Sequence, residues 1–412
     1  MTTKMQNNIA RLFRYLLAAM ITAVMLTGFS ACSSDKKSEP EVPDKDATRT
    51  VLVYMIADNS LGSLKCDEAD ISEMRQAAAT TGFNGGRLLV YHNRRGTAAG
   101  KVPVLLEIRK NSVDTLRFYP DDPTVYSTDT VRMREVFADM KRFAPASDYG
   151  LVLWSHGSGW TEGTGARSPQ KRAFGEDRKR NMKVTSLARA LSGQGFSFVY
   201  FDCCLMGTVE VAYELRHATP VIVASGTELP LPGMPYDENL QYLFATPQAK
   251  LTEAARNTFE WYGAQEDGSL RCSMTAIRTA GLDALAEATR RVFAEAFTDF
   301  ETDFSDVQPY DRPGVVTCTL WDMEDYIETM LASRTLLPAE RRSRLLADWR
   351  AALAGCVDYA EAHSRILGDL TVKRYCGLGS YVVAWRSDAD YRGYKNQSWW
   401  KDVVSTAPAF AD

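Results

Sequence analysis

The residues best suited to covalent chemistry are a thiol and an imidazole, each set where an apolar run breaks off. Residues 197–207 read SFVYFDCCLMG, so Asp202, Cys203 and Cys204 close an aromatic and β-branched stretch. Adjacent cysteines seldom pair, because a disulfide needs Cβ atoms spaced and aimed in a way that chain neighbours hardly reach. Either both are small buried fillers, or one of them reacts. A second apolar run, YGLVLWSHGSGW at 149–160, delivers His156 with Gly157, Ser158 and Gly159 behind it. An imidazole beside a thiol raises its thiolate fraction or takes its proton during attack. Turn glycines let backbone N–H groups approach a developing oxyanion, the stabilisation that acyl transfer needs. Each feature alone has a plainer reading: a hydrogen-bonded structural histidine, an inert buried cysteine, a simple turn. Their joint occurrence at two strand ends favours a nucleophilic Cys–His site.

The elements that must position these groups are legible as alternating strands and helices. TVLVYMIAD at 50–58 and GRLLVYHN at 86–93 are continuous apolar runs, the pattern of strands buried on both faces. Helical stretches are expected at about 63–79, 128–143, 184–195 and 206–217, separated by strands at 149–157, 197–204 and 220–225. VPVLLEIRKNSVDTLRFYP at 102–120 alternates about Asn111-Ser112 and reads as an edge hairpin. Short apolar strands alternating with helices imply an α/β domain with a mainly parallel sheet. In such sheets ligands sit beyond the carboxyl ends of the strands, where His156 and Cys204 both fall. Residues 49–236 are expected to form this core. Residues 237–412 are richer in helix and read as an accessory region packed on it.

Bulk properties narrow the classes further. The chain has 412 residues, 45% hydrophobic and 24% charged, enough for a sizeable core. A formal net charge of −4 gives no basic footprint for nucleic acid. Four scattered histidines argue against a multi-histidine metal site. Eight cysteines without C-x-x-C spacing fit neither a zinc site nor a disulfide scaffold. Lys4, Arg11 and Arg14 precede YLLAAMITAVMLTGFSAC, which has the order of a secretory signal over residues 1–31. The cysteine directly after FSA resembles a bacterial lipobox, which would make Cys32 a lipid-modified N-terminus. The expected location is then the bacterial cell envelope, with residues 32–48 as a flexible tether.

The motifs together resemble the clostripain family of cysteine peptidases, relatives of caspases, legumain and gingipains. The likeness runs through VLVYMIADNSL, LWSHGSGW, FDCCLMGTVEVAYEL and ASGTELPLPGMPYDENL, and fades into GLGSYVV and SWWKDVV. His156 and Cys204 also have a separation close to the roughly 50 residues typical of caspases. The resemblance implies a caspase-like three-layer α/β/α sandwich and a peptidase cleaving after Arg, with Lys second. The family's cysteine motif usually reads Asp-Ala-Cys-Leu-Met. Aligning it makes Cys203 the small spacer and Cys204 the nucleophile, with His156 as partner and the Gly157 and Cys204 N–H groups as oxyanion donors. The same alignment puts Asp202 at the base of the pocket for a basic side chain, with Glu228 and Asp237 as further acids. Relatives are activated by cutting between the two motifs. In the basic loop 163–183 the expected cut lies between Arg172 and Ala173. The resemblance brings no cofactor; calcium is left open, since relatives differ and no calcium loop stands in the sequence. Two other classes remain in view: a surface binding lipoprotein with the same fold, and a redox or metal protein using the Cys203-Cys204 pair.

Overall fold

In the computed structural model, residues 46–94, 102–120, 124–160, 173–312, 320–383 and 389–411 are described. Strand β1 (Thr50–Ala57) is buried along its whole length and lies near the middle of the sheet. Its side chains alternate between two cores. Leu52, Tyr54 and Ile56 point into one, while Val51, Val53, Met55 and Ala57 point into the other. The period of two residues sends successive side chains to opposite faces, so a strand apolar at every position must be covered twice. Strands β2 (Arg87–Arg94), β3 (Val104–Ile108), β4 (Val113–Phe118) and β5 (Tyr149–Trp154) follow. After them come a small hairpin of β6 (Phe174–Asp177) and β7 (Arg180–Met182), and then β8 (Phe196–Asp202) and β9 (Val221–Ala224).

Residues 41–412 form one compact unit. Beyond residue 237 the chain does more than pack on a finished core. Strand β10 (Ser273–Arg278) pairs antiparallel with β9. After the two-residue β11 (Trp321–Asp322), strand β12 (Val357–Ala362) pairs antiparallel with β10. The nine-stranded sheet therefore runs β12-β10-β9-β8-β5-β1-β2-β3-β4. Its five central strands are parallel, with an antiparallel pair on each margin. Helices Thr130–Phe143, Val184–Leu191, Leu282–Ala296 and Ala339–Ala354 bury side chains in one core; Cys66–Thr80, Tyr236–Leu243 and Leu251–Gly263 do so in the other. The result is the expected α/β/α layering.

The register positions the site. In the parallel ladders Trp154 is level with Met55 on one side and with Asp202 on the other. The carboxyl ends of β5 and β8 therefore finish together, and β1 runs two residues further. The exits that follow are Asp58-Asn59-Ser60, Ser155-His156-Gly157 and Cys203-Cys204.

One expectation needs correction. Residues 163–183 read as a single polar loop, yet 174–182 form the β6–β7 hairpin. Phe174 and Met182 are buried anchors, and the Asp177 carboxylate accepts the Ser127 N–H at 2.6 Å. Arg178 and Lys179 make the turn at φ 50° and 67°. Two isolated apolar residues and one buried acid outweigh the surrounding basic charge.

Candidate active site

Asn59 ties two of the exits together. Its amide Nδ2 donates to Ile56 O at 2.9 Å and to Glu176 O at 2.7 Å, while Oδ1 accepts the Leu61 N–H at 2.9 Å. The short helix Ser60–Ser63 thereby starts at the mouth of β1. This brings the Ser60 hydroxyl to His156 Nε2 at 2.8 Å. His156 is half-buried, and burial pushes its pKa below the usual histidine value while Glu176 pulls the other way. The lowered pKa favours the neutral ring, which has a proton-accepting nitrogen.

The segment after His156 is stitched to β6. Gly175 N–H donates to His156 O at 2.9 Å and Ser158 N–H donates to Ala173 O at 3.0 Å. In this antiparallel bridge the flanking residues carry the hydrogen bonds, so the Gly157 N–H points away from the ladder. Gly157 lies against the Cys204 backbone. A Cβ at this position would sit 2.4 Å from Cys204 O and 3.2 Å from Cys203 Sγ. Only glycine permits that approach.

The two cysteines have different surroundings. Cys203 is 3% exposed, belongs to the apolar core, and has a thiol pKa raised strongly by burial. Cys204 is partly exposed. Its Sγ accepts the Leu229 N–H at 3.3 Å and donates to Leu229 O at 3.6 Å. Desolvation pushes the Cys204 thiol up to about 12, with the Leu229 hydrogen bond acting against the shift. In this state the sulfur is protonated and held by Leu229, and the imidazole is held by Ser60. Leu205, next in the chain, has φ 63°, a costly conformation for a branched side chain, and its N–H bonds to Thr227 O at 2.9 Å. That turn fixes the loop carrying Cys204 against residues 225–229.

The three acids nominated from the sequence occupy distinct places. Asp202 is 4% exposed; its carboxylate accepts Met234 N–H and Tyr236 O–H, each at 2.9 Å. Tyr262 O–H holds the same loop through Gly233 O at 2.8 Å. Asp237 accepts the Gln76 amide at 3.0 Å, at the start of helix Tyr236–Leu243. Glu228 is paired with the Arg312 guanidinium. Two more acids, unnoticed in the sequence, lie on helix Cys66–Thr80 facing the sheet end: Asp70 accepts Trp154 Nε1–H at 2.6 Å and Glu73 accepts Tyr236 N–H at 3.0 Å. Burial raises the pKa of Asp70 and Asp202, and pushes Glu73 up to about 7 with Asp237 adding to the effect. None of these three is ion-paired with a Lys or Arg among the described residues.

Asn59, Ser60, Asp70, Glu73 and Arg312 are site residues that sequence reasoning missed; the only visible signal was Asp58-Asn59 at the end of the VLVYMIADNSL motif. Arg172 and Cys32 lie outside the described residues, while Ala173 is 1% exposed. The six described cysteines are unpaired, and among the described residues no group of three His, Cys, Asp or Glu side chains is arranged to hold a metal ion.

His156 and Cys204 thus follow adjacent parallel strands of an α/β sheet at the same level, with the Gly157 backbone against Cys204. The model of the clostripain family matches residues 53–337, and the chain belongs to that family of cysteine peptidases. The fold is similar to an inactive zymogen C11 protease from Parabacteroides distasonis, with TM-score 0.72, 26% identity, and coverage of 88% of this chain and 99% of that one. It is also similar to a secreted C11 cysteine protease from Bacteroides thetaiotaomicron in complex with an irreversible peptide inhibitor. There the TM-score is 0.71 and the identity 26%, with coverage of 86% of this chain and 98% of that one. No curated protein matches the chain.

The raised carboxylates have a measurable consequence. Folded Asp70, Glu73 and Asp202 hold protons that the unfolded chain releases near pH 4, so stability falls as pH rises from there toward 7. Asp202→Asn removes one of these groups. Urea unfolding at pH 4.5 and 7.5 should show a smaller loss of stability in this variant than in the wild type; an equal or larger loss contradicts the assignment.

Proposed function

We propose that this cysteine peptidase cleaves peptide bonds after basic residues, Arg ahead of Lys, with Cys204 as nucleophile and His156 as its general base and acid. The observation that carries the reading is the aligned exit of β5 and β8, which brings the Gly157 backbone against Cys204. The thiol proton passes to the imidazole as Sγ bonds to the substrate carbonyl carbon. With Nε2 bound to Ser60, Nδ1 is the nitrogen left for that proton. The oxyanion accepts from the Gly157 and Cys204 N–H groups. The imidazolium then protonates the leaving amine as the C–N bond breaks. A water deprotonated by His156 attacks the thioester, releasing the acid and restoring the thiol.

The preference for a cation is supported by what the acids lack. Asp202, Asp70 and Glu73 cluster at the sheet end without a cationic partner among the described residues, whereas Glu228 already has Arg312. Asp202 is therefore the first choice for the pocket acid. Its carboxylate has unused acceptor capacity beyond two hydrogen bonds, and a guanidinium reaches it if the 230–236 loop lifts. The test is hydrolysis of Arg, Lys, Asp and Leu fluorogenic peptides by residues 33–412. Arg should lead and Lys follow. Cys204→Ala should abolish turnover, His156→Ala should lower kcat by several orders of magnitude, and Cys203→Ala should retain most of it. Equal rates on Arg and Leu would sink the specificity; an active Cys204→Ala would sink the nucleophile.

Self-cleavage between Arg172 and Ala173 is the proposed activation step. Ala173 is buried and its carbonyl is held by Ser158, so the strand end must lift for cutting and then redock beside His156. N-terminal sequencing of the C-terminal fragment should read Ala-Phe-Gly-Glu. An uncut chain with full activity would rule out a required cut.

The envelope location rests on the sequence around Cys32, and no helix of the described residues is long and apolar enough to cross a membrane. Cys32→Ser should release the protein from the membrane fraction; unchanged association would refute a lipid anchor at that residue.

A further inference from the structure

Charge reaches the Cys204 thiol from the half of the chain beyond the parallel core. The Leu229 backbone grips Sγ through both its N–H and its carbonyl. Glu228 therefore stands beside the thiol, where its negative charge opposes ionisation, while Arg312 acts in the opposite sense. The Arg312 guanidinium pairs with Glu228 and also with Asp369 at 3.2 Å. This is a held arrangement. Tyr310, two residues before Arg312, is fully buried, and its hydroxyl donates to Asp322 at 2.7 Å. The Tyr310 ring packs at 5.2 Å on Tyr375, whose hydroxyl accepts the Gly226 N–H at 3.3 Å. One tyrosine pair thus fastens the Arg312 segment to the strand exit that carries Glu228 and Leu229. Arg312 and Glu228 are three-quarters buried, at 25% and 22% side-chain exposure, so their interaction is only partly screened.

We propose that Arg312 is a positioning residue of the active site, which neutralises Glu228 and so makes it easier for Cys204 to give up its proton. The proposal rests on Cys204 being the nucleophile. The other titratable groups around the sulfur are Asp202 and Cys203 on its own strand and His156 from β5. Asp369 lies behind Arg312. Among these groups Arg312 alone carries a permanent positive charge. Without it, Glu228 is an uncompensated, part-buried carboxylate next to the sulfur, and the thiolate is disfavoured. Lysine keeps the charge but lacks the planar fork that joins two carboxylates.

The test is iodoacetamide alkylation of residues 33–412 across pH, with the Cys204 peptide quantified by mass spectrometry. Cys66 and Cys376, also partly exposed, serve as internal references. Arg312→Gln should move the Cys204 midpoint up by about half to one pH unit and slow its alkylation at pH 7 by about three- to tenfold. Adding Glu228→Gln should restore the wild-type profile, with Cys66 unaffected in both variants. An unchanged Cys204 profile in Arg312→Gln overturns the proposal. So does a double variant as slow as the single one, since Arg312 would then act through shape rather than charge. If Arg312→Gln does not fold, Glu228→Gln alone decides: with Arg312 unopposed the midpoint must move down, and any other result overturns the proposal. Because alkylation is read at Cys204 without substrate, it stands apart from the nucleophile assignment. Labelling of another cysteine by an Arg-directed peptide inhibitor would refute that assignment instead.

Discussion

At position 157 a Cβ would lie 2.4 Å from the carbonyl oxygen of Cys204, well inside any tolerable contact. The exits of β5 and β8 approach this closely because a glycine stands there, and the rest of the site is arranged around that approach. It depends in turn on the level at which the strands end. Trp154 opposite Asp202 means that two residues further along either chain lead to the same patch of surface. A slip by one residue would turn each β5 side chain to the opposite core, so the different volumes packed there, Leu151 and Leu153 on one face and Val152 and Trp154 on the other, hold the register. The level at which His156 and Cys204 leave the sheet is thus secured by hydrophobic packing some distance below it.

The electrostatics of the patch are those of a resting enzyme. Burial keeps the proton on Cys204 and off His156, and each group has a separate neutral partner, Leu229 for the thiol and Ser60 for the ring. Burial, with the charge of neighbouring carboxylates, likewise raises the pKa of the acids Asp70 and Glu73 at the sheet end, and burial raises that of Asp202. Strands β10 and β12 complete the sheet, so the half of the chain that looks accessory is part of its framework.

Much of this was legible in the sequence, and the failures have a common cause. The five parallel strands announce themselves because burial on both faces leaves no polar position, and the strand-end rule then locates His156 and Cys204. The β3–β4 hairpin is visible by alternation. The small β6–β7 hairpin was missed because its two apolar anchors are drowned by seven neighbouring cations in the sequence. β12, VDYAEA, is half-exposed at the sheet edge and reads as nothing in particular. Asp202 was identifiable as an acid beside the thiol, but the loop that covers it was not. Arg312 shows the same limit in its strongest form, since no local pattern says which carboxylate a distant arginine will find.

The distance along the chain between Cys204 and Arg312 has a temporal side. A polypeptide emerging from the ribosome presents the thiol, then Glu228, and only later the guanidinium that balances it. On the proposal above, a chain folded this far without residue 312 would leave Glu228 unanswered beside Cys204, which disfavours the thiolate. An unfinished or truncated chain would be chemically quiet by the same token. On the proposed role of Arg312, completion of the chain through residue 312 and easier ionisation of the thiol would then coincide.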